Sequence, residues 1–443
     1  MQPQMELTSE PEVQPAISAT IVAPEIHWSR GLKIAFRFAF SYFGLYCFPF
    51  PIGALPYTDK PGEWYEAIWH KVVPWVAAHI LHLAKPITIF SNGSGDTTYD
   101  YVKVLCFFLI ALAATAVWTV LDRRRQNYTE LNQWFRFYVR LTLGATLLSY
   151  GGYKVIPSQF PPLRQYQYLE MYGDASPMGI LWTFMSASKS YTIFAGSVEM
   201  LGGILLFIPR LTTLGALVGM GAMANVFFLN MSYDVPVKLY SFHLLLLSAL
   251  LVLPDIKRLT RFFVFNRTVE PAPAELQFQR KRLRTAFVLF QLIFGIYLGG
   301  YALYTSRQQL KSLTVDFVAQ PPLAGTWGVD EFTGEGPTPI SDDVRWQKVV
   351  FEFKSAITVQ QPNGKLLHIS AKTDTDHKTI ELTKRADPNW KASLSYTFPA
   401  TGNMVMDGQI GGQKVHIKLH QLDGKYLLNT RGFHWINELP FNR

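Results

Sequence analysis

Long apolar runs fill residues 31–305, whereas residues 306–443 alternate between apolar and polar positions as a soluble domain does. A helix needs about 20 mainly apolar residues to cross a hydrocarbon core about 30 Å thick. Seven windows approach that length: 32–52, 101–121, 135–156, 190–208, 212–231, 237–254 and 285–305. The pattern predicts an α-helical polytopic membrane protein with about seven transmembrane helices. Two long connections, 53–100 and 157–189, are rich in Trp and Tyr and suit helices lying at the bilayer interface, where they would cap the bundle. From Leu323 the period shortens to two. KVVFEF, AITVQQ, KLLHISAK, KTIELTK, ASLSYTF, KVHIKLHQL and KYLLNT are predicted strands. Hairpin signals separate them at Pro362-Asn363-Gly364, Asp387-Pro388-Asn389, Gly411-Gly412 and Asp423-Gly424. About eight or nine short antiparallel strands predict an all-β up-and-down barrel or a sandwich.

Charge turns this pattern into a topology. The chain is 49% hydrophobic and only 16% charged, where soluble domains carry about a quarter charged residues. Its net charge of +9 is concentrated beside the apolar windows, at Arg123–Arg125, at Lys257, Arg258, Arg261 and Arg267, and at Arg280, Lys281, Arg282 and Arg284. That distribution is a topology signal and argues against nucleic-acid binding. With the N-terminus inside, the inner loops also hold Arg30, Lys33 and Arg210, and the longer outer loops hold only Lys60, Lys71, Lys85, Arg164, Lys189 and Lys238. The last span then exports the C-terminal domain. The expected organisation is a disordered cytoplasmic tail (1–26), two N-terminal spans with an outer loop (27–133), a four-helix core (134–256), a basic cytoplasmic loop with a seventh span (257–305) and an extracytoplasmic β domain (306–443). The tail has Pro3, Pro11, Pro15 and Pro24 but no apolar stretch of a cleaved signal peptide. A multi-pass protein of the cell inner membrane with a periplasmic C-terminal domain is the expected location.

Ionisable residues inside a span cost several kcal/mol by most scales, so each calls for a partner or a role. The candidates are Arg140, Lys154, Glu199, Asn225, Asn230, Asp234, Lys238 and His243. Counting depth at 1.5 Å per residue suggests pairs of Arg140 with Glu199 and of Lys154 with Asp234, with His243 below the second. Two readings stay open. The residues form buried ion pairs that fix helix register, or they line a polar pocket opening outward under the aromatic segment 166–182.

Three stretches carry a resemblance. RLTLGATLLSYGGYKV (140–155), EMLGGILLFIPRLTTLGA (199–216) and NVFFLNMSYDVPVKLYSFHLLLL (225–247) resemble the helices of DoxX-like membrane proteins, over about residues 134–256. That resemblance implies a four-helix membrane bundle. Some members are quinone-linked, such as the small subunit of thiosulfate:quinone oxidoreductase, and others serve in methylamine dehydrogenase maturation. This chain adds two spans before the core, one after it, and the β domain. Two functions follow as expectations. In the first, a membrane oxidoreductase component handles a quinone in the outward pocket, Glu199, His243 and Asp234 move protons, and Lys154 and Lys238 stabilise an anionic oxygen, with Arg140, Asn225 and Asn230 completing the binding surface. In the second, a non-catalytic protein of the lipid bilayer binds a lipid or docks a periplasmic protein partner through its β domain. A transporter ranks below both, because no inverted repeat is visible.

Further residues carry candidate chemistry. Cys47 and Cys106 fall at similar depth and read first as small buried residues, with a redox or structural pair as the alternative. His70, His79 and His82 cluster, the last two at helical i, i+3 spacing, but no accompanying ligand pattern supports a metal. Gly325-Thr326-Trp327 resembles the Gly-x-Trp signature of lipocalin-like barrels. Gly215, Gly219 and Gly221 suit close helix packing. GEGP at 334–337 lacks the Lys-Ser/Thr of a phosphate loop, and Asn92 and Asn127 match glycan acceptors.

Overall fold

The computed structural model describes residues 27–52, 59–87, 93–271, 280–316, 323–335, 344–384 and 387–442, with residues 89, 276 and 318 besides. The tail 1–26, Asn92 and the last two residues of GEGP lie outside the described residues.

All seven apolar windows are helical. The helices are α1 (Arg30–Cys47), α2 (Asp59–His79), α3 (Thr98–Leu121), α4 (Thr129–Val155), α5 (Pro177–Ala187), α6 (Lys189–Leu206), α7 (Thr212–Ser232), α8 (Lys238–Val252), the single turn α9 (Ile256–Leu259) and α10 (Lys281–Lys311). Some of their starts follow capping chemistry. The Ser29 side chain accepts from Leu32 N at the head of α1, and Thr97 and Asp100 form a reciprocal capping box on α3.

Four of these segments are long and apolar enough to cross a membrane: Thr98–Leu121, Pro209–Ser232, Lys238–Val264 and Lys281–Val315. The expected seven thus reduce to four by length and composition. The other three are interrupted by charge. Arg30, Lys33 and Arg37 interrupt α1, whereas Glu130, Arg136, Arg140 and Lys154 interrupt α4. Lys189 and Glu199 interrupt α6, which has only 18 residues. Position explains why such helices are tolerated. Helix α4 packs against α1, α6, α8 and α10, so its polar side chains meet protein. Arg140, Lys154, Glu199 and Arg37 are all buried.

The C-terminal region is a closed antiparallel barrel of eight strands in sequence order: β1 (Gly325–Glu335), β2 (Lys348–Phe353), β3 (Ala356–Gln360), β4 (Leu366–Asp374), β5 (Thr379–Lys384), β6 (Asp387–Ala400), β7 (Asn403–Ile410) and β8 (Gln413–Gln421). This decides between barrel and sandwich. Inward positions form apolar cross-strand neighbours, such as Phe351 opposite Ile357, Ile380 opposite Leu394 and Met406 opposite Ile417. Trp327 is almost wholly buried and its indole donates to the Leu323 carbonyl at 2.8 Å.

Three strand expectations are corrected. Asp387-Pro388-Asn389 opens β6 and is not a turn, because Asp387 already pairs with Lys384 across a register shift. NMVMDGQI forms β7, its Met404 and Met406 pointing into the core and its entry turn closed by Gly402 at φ +77°. KYLLNT is no strand. After β8 the chain leaves the barrel and makes the short helix α11 (Leu427–Thr430).

The 157–176 connection ties bundle to barrel. The Arg164 guanidinium donates to the Leu313 carbonyl at 2.9 Å, and the Gln165 amide donates to Glu352 Oε1 at 3.1 Å. Gln360 Nε2 donates to the Leu169 carbonyl at 3.1 Å, and the Tyr168 ring stacks on Tyr426 with centroids 4.6 Å apart. The first half of this connection thus docks on the β domain, where a cap over the helices was expected. Burial pushes the Glu352 carboxyl above its ordinary range, and the Gln165 amide and the Arg164 cation offset part of that effect.

Candidate functional site

Glycines set the register of the site. Gly144 and Gly151 on α4 face Gly203 and Gly196 on the antiparallel α6. A Cβ on Gly151 would lie 2.6 Å from the Gly196 carbonyl oxygen, and one on Gly203 would lie 2.9 Å from that of Gly144. The two backbones therefore touch, as small residues allow in helix pairs. Beside this crossing, Lys154 Nζ donates to Glu199 Oε1 at 2.5 Å, with both side chains almost wholly buried. Among the described residues nothing donates to Glu199 Oε2, which is itself buried.

The observed pair corrects both expected ones. Arg140 lies one turn N-terminal to Gly144 on α4, on the far side of the Gly144–Gly203 contact from Lys154. Its guanidinium donates to Thr212 Oγ1 at 3.0 Å and to the Gln291 side-chain oxygen, and it lies over the Phe137 ring. Asp234 does not reach Lys154. It sits in the α7–α8 turn at φ +51°, is largely exposed, and pairs with Lys238 at 2.8 Å. Depth counting failed here because it ignored which helices touch.

The remaining candidates disperse. Asn230 Nδ2 donates to Ser241 Oγ at 3.0 Å and joins α7 to α8. Asn225 is exposed on the face of α7 turned away from the bundle. His243 Nδ1 lies 2.7 Å from the Leu239 carbonyl, an obligate acceptor, so Nδ1 carries a proton. In the neutral ring Nε2 then accepts the Tyr42 hydroxyl, 2.6 Å away. The Tyr46 ring lies parallel to the imidazole at 4.0 Å, while Tyr150 stacks on Tyr240 at 5.8 Å and stands within electrostatic reach of Glu199. A tyrosine-rich interior thus separates His243 from the Lys154–Glu199 pair.

Two features escaped the sequence reading. Asp96, from the loop before α3, accepts the Lys238 and Leu239 amides at 2.8 Å each, supplying from a distance the cap that α8 lacks locally. Arg37 is buried, bonded to the Tyr128 hydroxyl and to Thr119. Both act through long-range contacts that no local pattern encodes. His82, at φ +50°, lies beyond the end of α2, so the helical i, i+3 face with His79 does not form. Cys47 and Cys106 are buried free thiols.

The comparisons with known proteins bear on the family rather than the chemistry. No family model matches the chain, and no solved structure matches it. The chain is 31% identical over 125 residues to the uncharacterized protein YwoB of Bacillus subtilis (strain 168), a stretch that is 28% of this chain and 79% of that protein. The chain belongs to the YwoB family. YwoB carries no activity in its name, so any chemistry must be argued from the side chains above. Most of this chain lies outside the stretch shared with YwoB.

Proposed function

We propose that this chain is a DoxX-like integral membrane protein whose helical part binds a quinone, or a similar apolar redox partner, at the Lys154–Glu199 pair. The observation that carries this reading is the buried Glu199 oxygen left without a donor beside a buried ammonium. A bare carboxylate oxygen in an apolar setting is costly, and a ligand hydroxyl would satisfy it. Glu199 then exchanges a proton with the ligand, and Lys154 stabilises an anionic ligand oxygen. His243, in its bond to Tyr42, serves as a second proton-holding group. The exposed Asp234 and the half-buried Lys238 pair at the rim.

All seven apolar helices cross the bilayer on this reading, because Arg37 of α1, Arg140 and Lys154 of α4 and Glu199 of α6 are buried against protein rather than lipid. On the same reading the N-terminus is cytoplasmic and the barrel periplasmic, which the basic loops support. Native mass spectrometry of detergent-purified protein, with quinone extraction, tests the proposal. A quinone retained by the wild type and lost from folded Glu199→Gln and Lys154→Met supports it, and equal retention in all three overturns it.

A second reading makes the β domain the working part, docking a periplasmic partner. An open groove of about 390 Å³ between Glu335, Asp407, Lys414 and His416 favours it. Binding that persists in Glu199→Gln but fails without the barrel would select that reading.

A further inference from the structure

The segment that follows the barrel leaves its large apolar side chains uncovered. Residues 431–442 make a compact knot in which Arg431 donates to Asn437 Oδ1 at 2.7 Å and lies over the Phe441 ring at 4.1 Å. Asn437 in turn donates to the His434 carbonyl at 3.2 Å. Arg431 and Asn437 are thus bonded within the segment, while its large apolar side chains are left exposed. Trp435 is 90% exposed, and Phe433, Ile436 and Leu439 are more than three-quarters exposed. Leu427 and Leu428 of α11 are exposed as well. A soluble segment of this length would place such side chains inward. A contiguous apolar surface of this kind marks an interaction site.

The fold places the root of this segment beside the end of the helical bundle. Leu313, at the end of the apolar segment Lys281–Val315, accepts a hydrogen bond from Arg164. The next residue, Gln165, abuts Gly424, and Tyr168 stacks on Tyr426 immediately before α11. The root of the segment is thus two residue contacts from the end of a helix apolar enough to cross a membrane. Met171 and Tyr172, on the same connection, are also exposed. We infer that residues 427–441 are an interfacial anchor, with Phe433, Trp435, Ile436 and Leu439 seated at the headgroup–acyl boundary of the bilayer that holds α10. Trp and Phe prefer that boundary because their rings are large and apolar with, for Trp, one polar edge. The anchor holds the barrel against the membrane surface at the end where β1 begins. It rests on the membrane reading of the helices and not on the ligand of the bundle.

Spin labels on the full chain in phosphatidylcholine liposomes test this. Nitroxides are placed by Trp435→Cys in the segment, Leu112→Cys on the exposed face of α3 and Lys391→Cys on exposed β6, at the opposite end of the barrel, with labelled wild type as the blank for its two buried thiols. The expected result is that position 435 collides more often with apolar oxygen than with a water-soluble nickel chelate, as position 112 does, while position 391 shows the reverse. Lipid-like behaviour at 112 with water-like behaviour at 435 overturns the anchor and leaves the membrane reading standing. Shielding of 435 from both collision partners also overturns it, in favour of a protein contact. Water-like behaviour at both 112 and 435 overturns the membrane reading and the anchor with it.

Discussion

Gly151→Ala is the sharpest test of the glycine-set register. The new Cβ would lie 2.5 Å from Met200 Cγ, 2.6 Å from the Gly196 carbonyl oxygen and 2.7 Å from the Met200 amide nitrogen. Two of those atoms are backbone, which no rotamer change can move. Helix α6 must therefore retreat by about 0.8 Å, the gap between 2.6 Å and the 3.4 Å at which ordinary contact begins. Overpacking of this kind costs about 1–3 kcal/mol. Against it stands the better helix propensity of Ala, about 1 kcal/mol. Gly300→Ala isolates the packing cost, since a Cβ there meets nothing within 4 Å and the residue also lies inside a helix. The two variants are compared by titrating the purified protein with sodium dodecyl sulfate in mixed micelles and following tryptophan fluorescence. Gly151→Ala is expected to be less stable than Gly300→Ala by about 1–3 kcal/mol. Equal midpoints would refute the claim that α4 and α6 touch backbone to backbone, and with it the argument for the placement of Lys154 beside Glu199.

Other perturbations have defined outcomes. Glu199→Leu leaves the Lys154 ammonium buried and unpaired, a loss of about 3–5 kcal/mol in the same titration, and adding Lys154→Met restores most of it; a double variant no better than the single one would sink the pair as the cause. Tyr42→Phe strips His243 Nε2 of its partner and lowers stability by about 1–3 kcal/mol, read from the same curve. Trp327→Ala empties the largest buried side chain of the barrel and costs about 3–5 kcal/mol, measured by near-ultraviolet circular dichroism of the β domain within the full chain. Because burial raises the folded-state pKa of Glu352, its contribution is fully present below the ordinary glutamate value and is lost as pH rises through the raised one. The thermal midpoint of the barrel, wild type minus Glu352→Gln, should therefore fall as pH rises above the ordinary glutamate value; a flat difference refutes the shift.

Much of the architecture was legible in the chain, for physical reasons that also mark where reading stops. Apolar runs of helical length and the change of period near Leu323 are local signals, and both regions fold as those signals require. The strand β7 was missed because Asp407-Gly408 breaks its alternation, although Met404, Met406 and Ile410 all reach the core. KYLLNT looked like a strand by composition, but Asn429 Oδ1 accepts the Tyr426 amide and closes a helical turn instead. At the site, the residue types Lys154, Glu199, Arg140 and His243 were correctly singled out as buried, and their partners were not. Partner choice depends on which helices touch and at what height. The paired glycines of α4 and α6 hold that information, and it becomes readable only once the two helices are set against each other.

The same glycine register links the two halves of the molecule. Lys154 sits in the last turn of α4, and the chain reaches Arg164 only ten residues later. At Arg164 it bonds to Leu313, and one residue on it bonds to Glu352 of the barrel. A shift of α4 against α6 would thus act on the Lys154–Glu199 pair and on the connection that carries the barrel. Glu352 reinforces that linkage, since its buried carboxylate has one oxygen satisfied by the Gln165 amide and another without a donor among the described residues. Such a contact is easily weakened. The barrel is therefore held where a change at the end of the bundle is felt, through a contact of modest strength rather than through a continuous apolar interface. The two apolar cores support this, because the barrel cluster and the helical clusters share no residue. Each half has its own hydrophobic stabilisation, and hydrogen bonds and one ring stack along 164–169 set how one sits on the other.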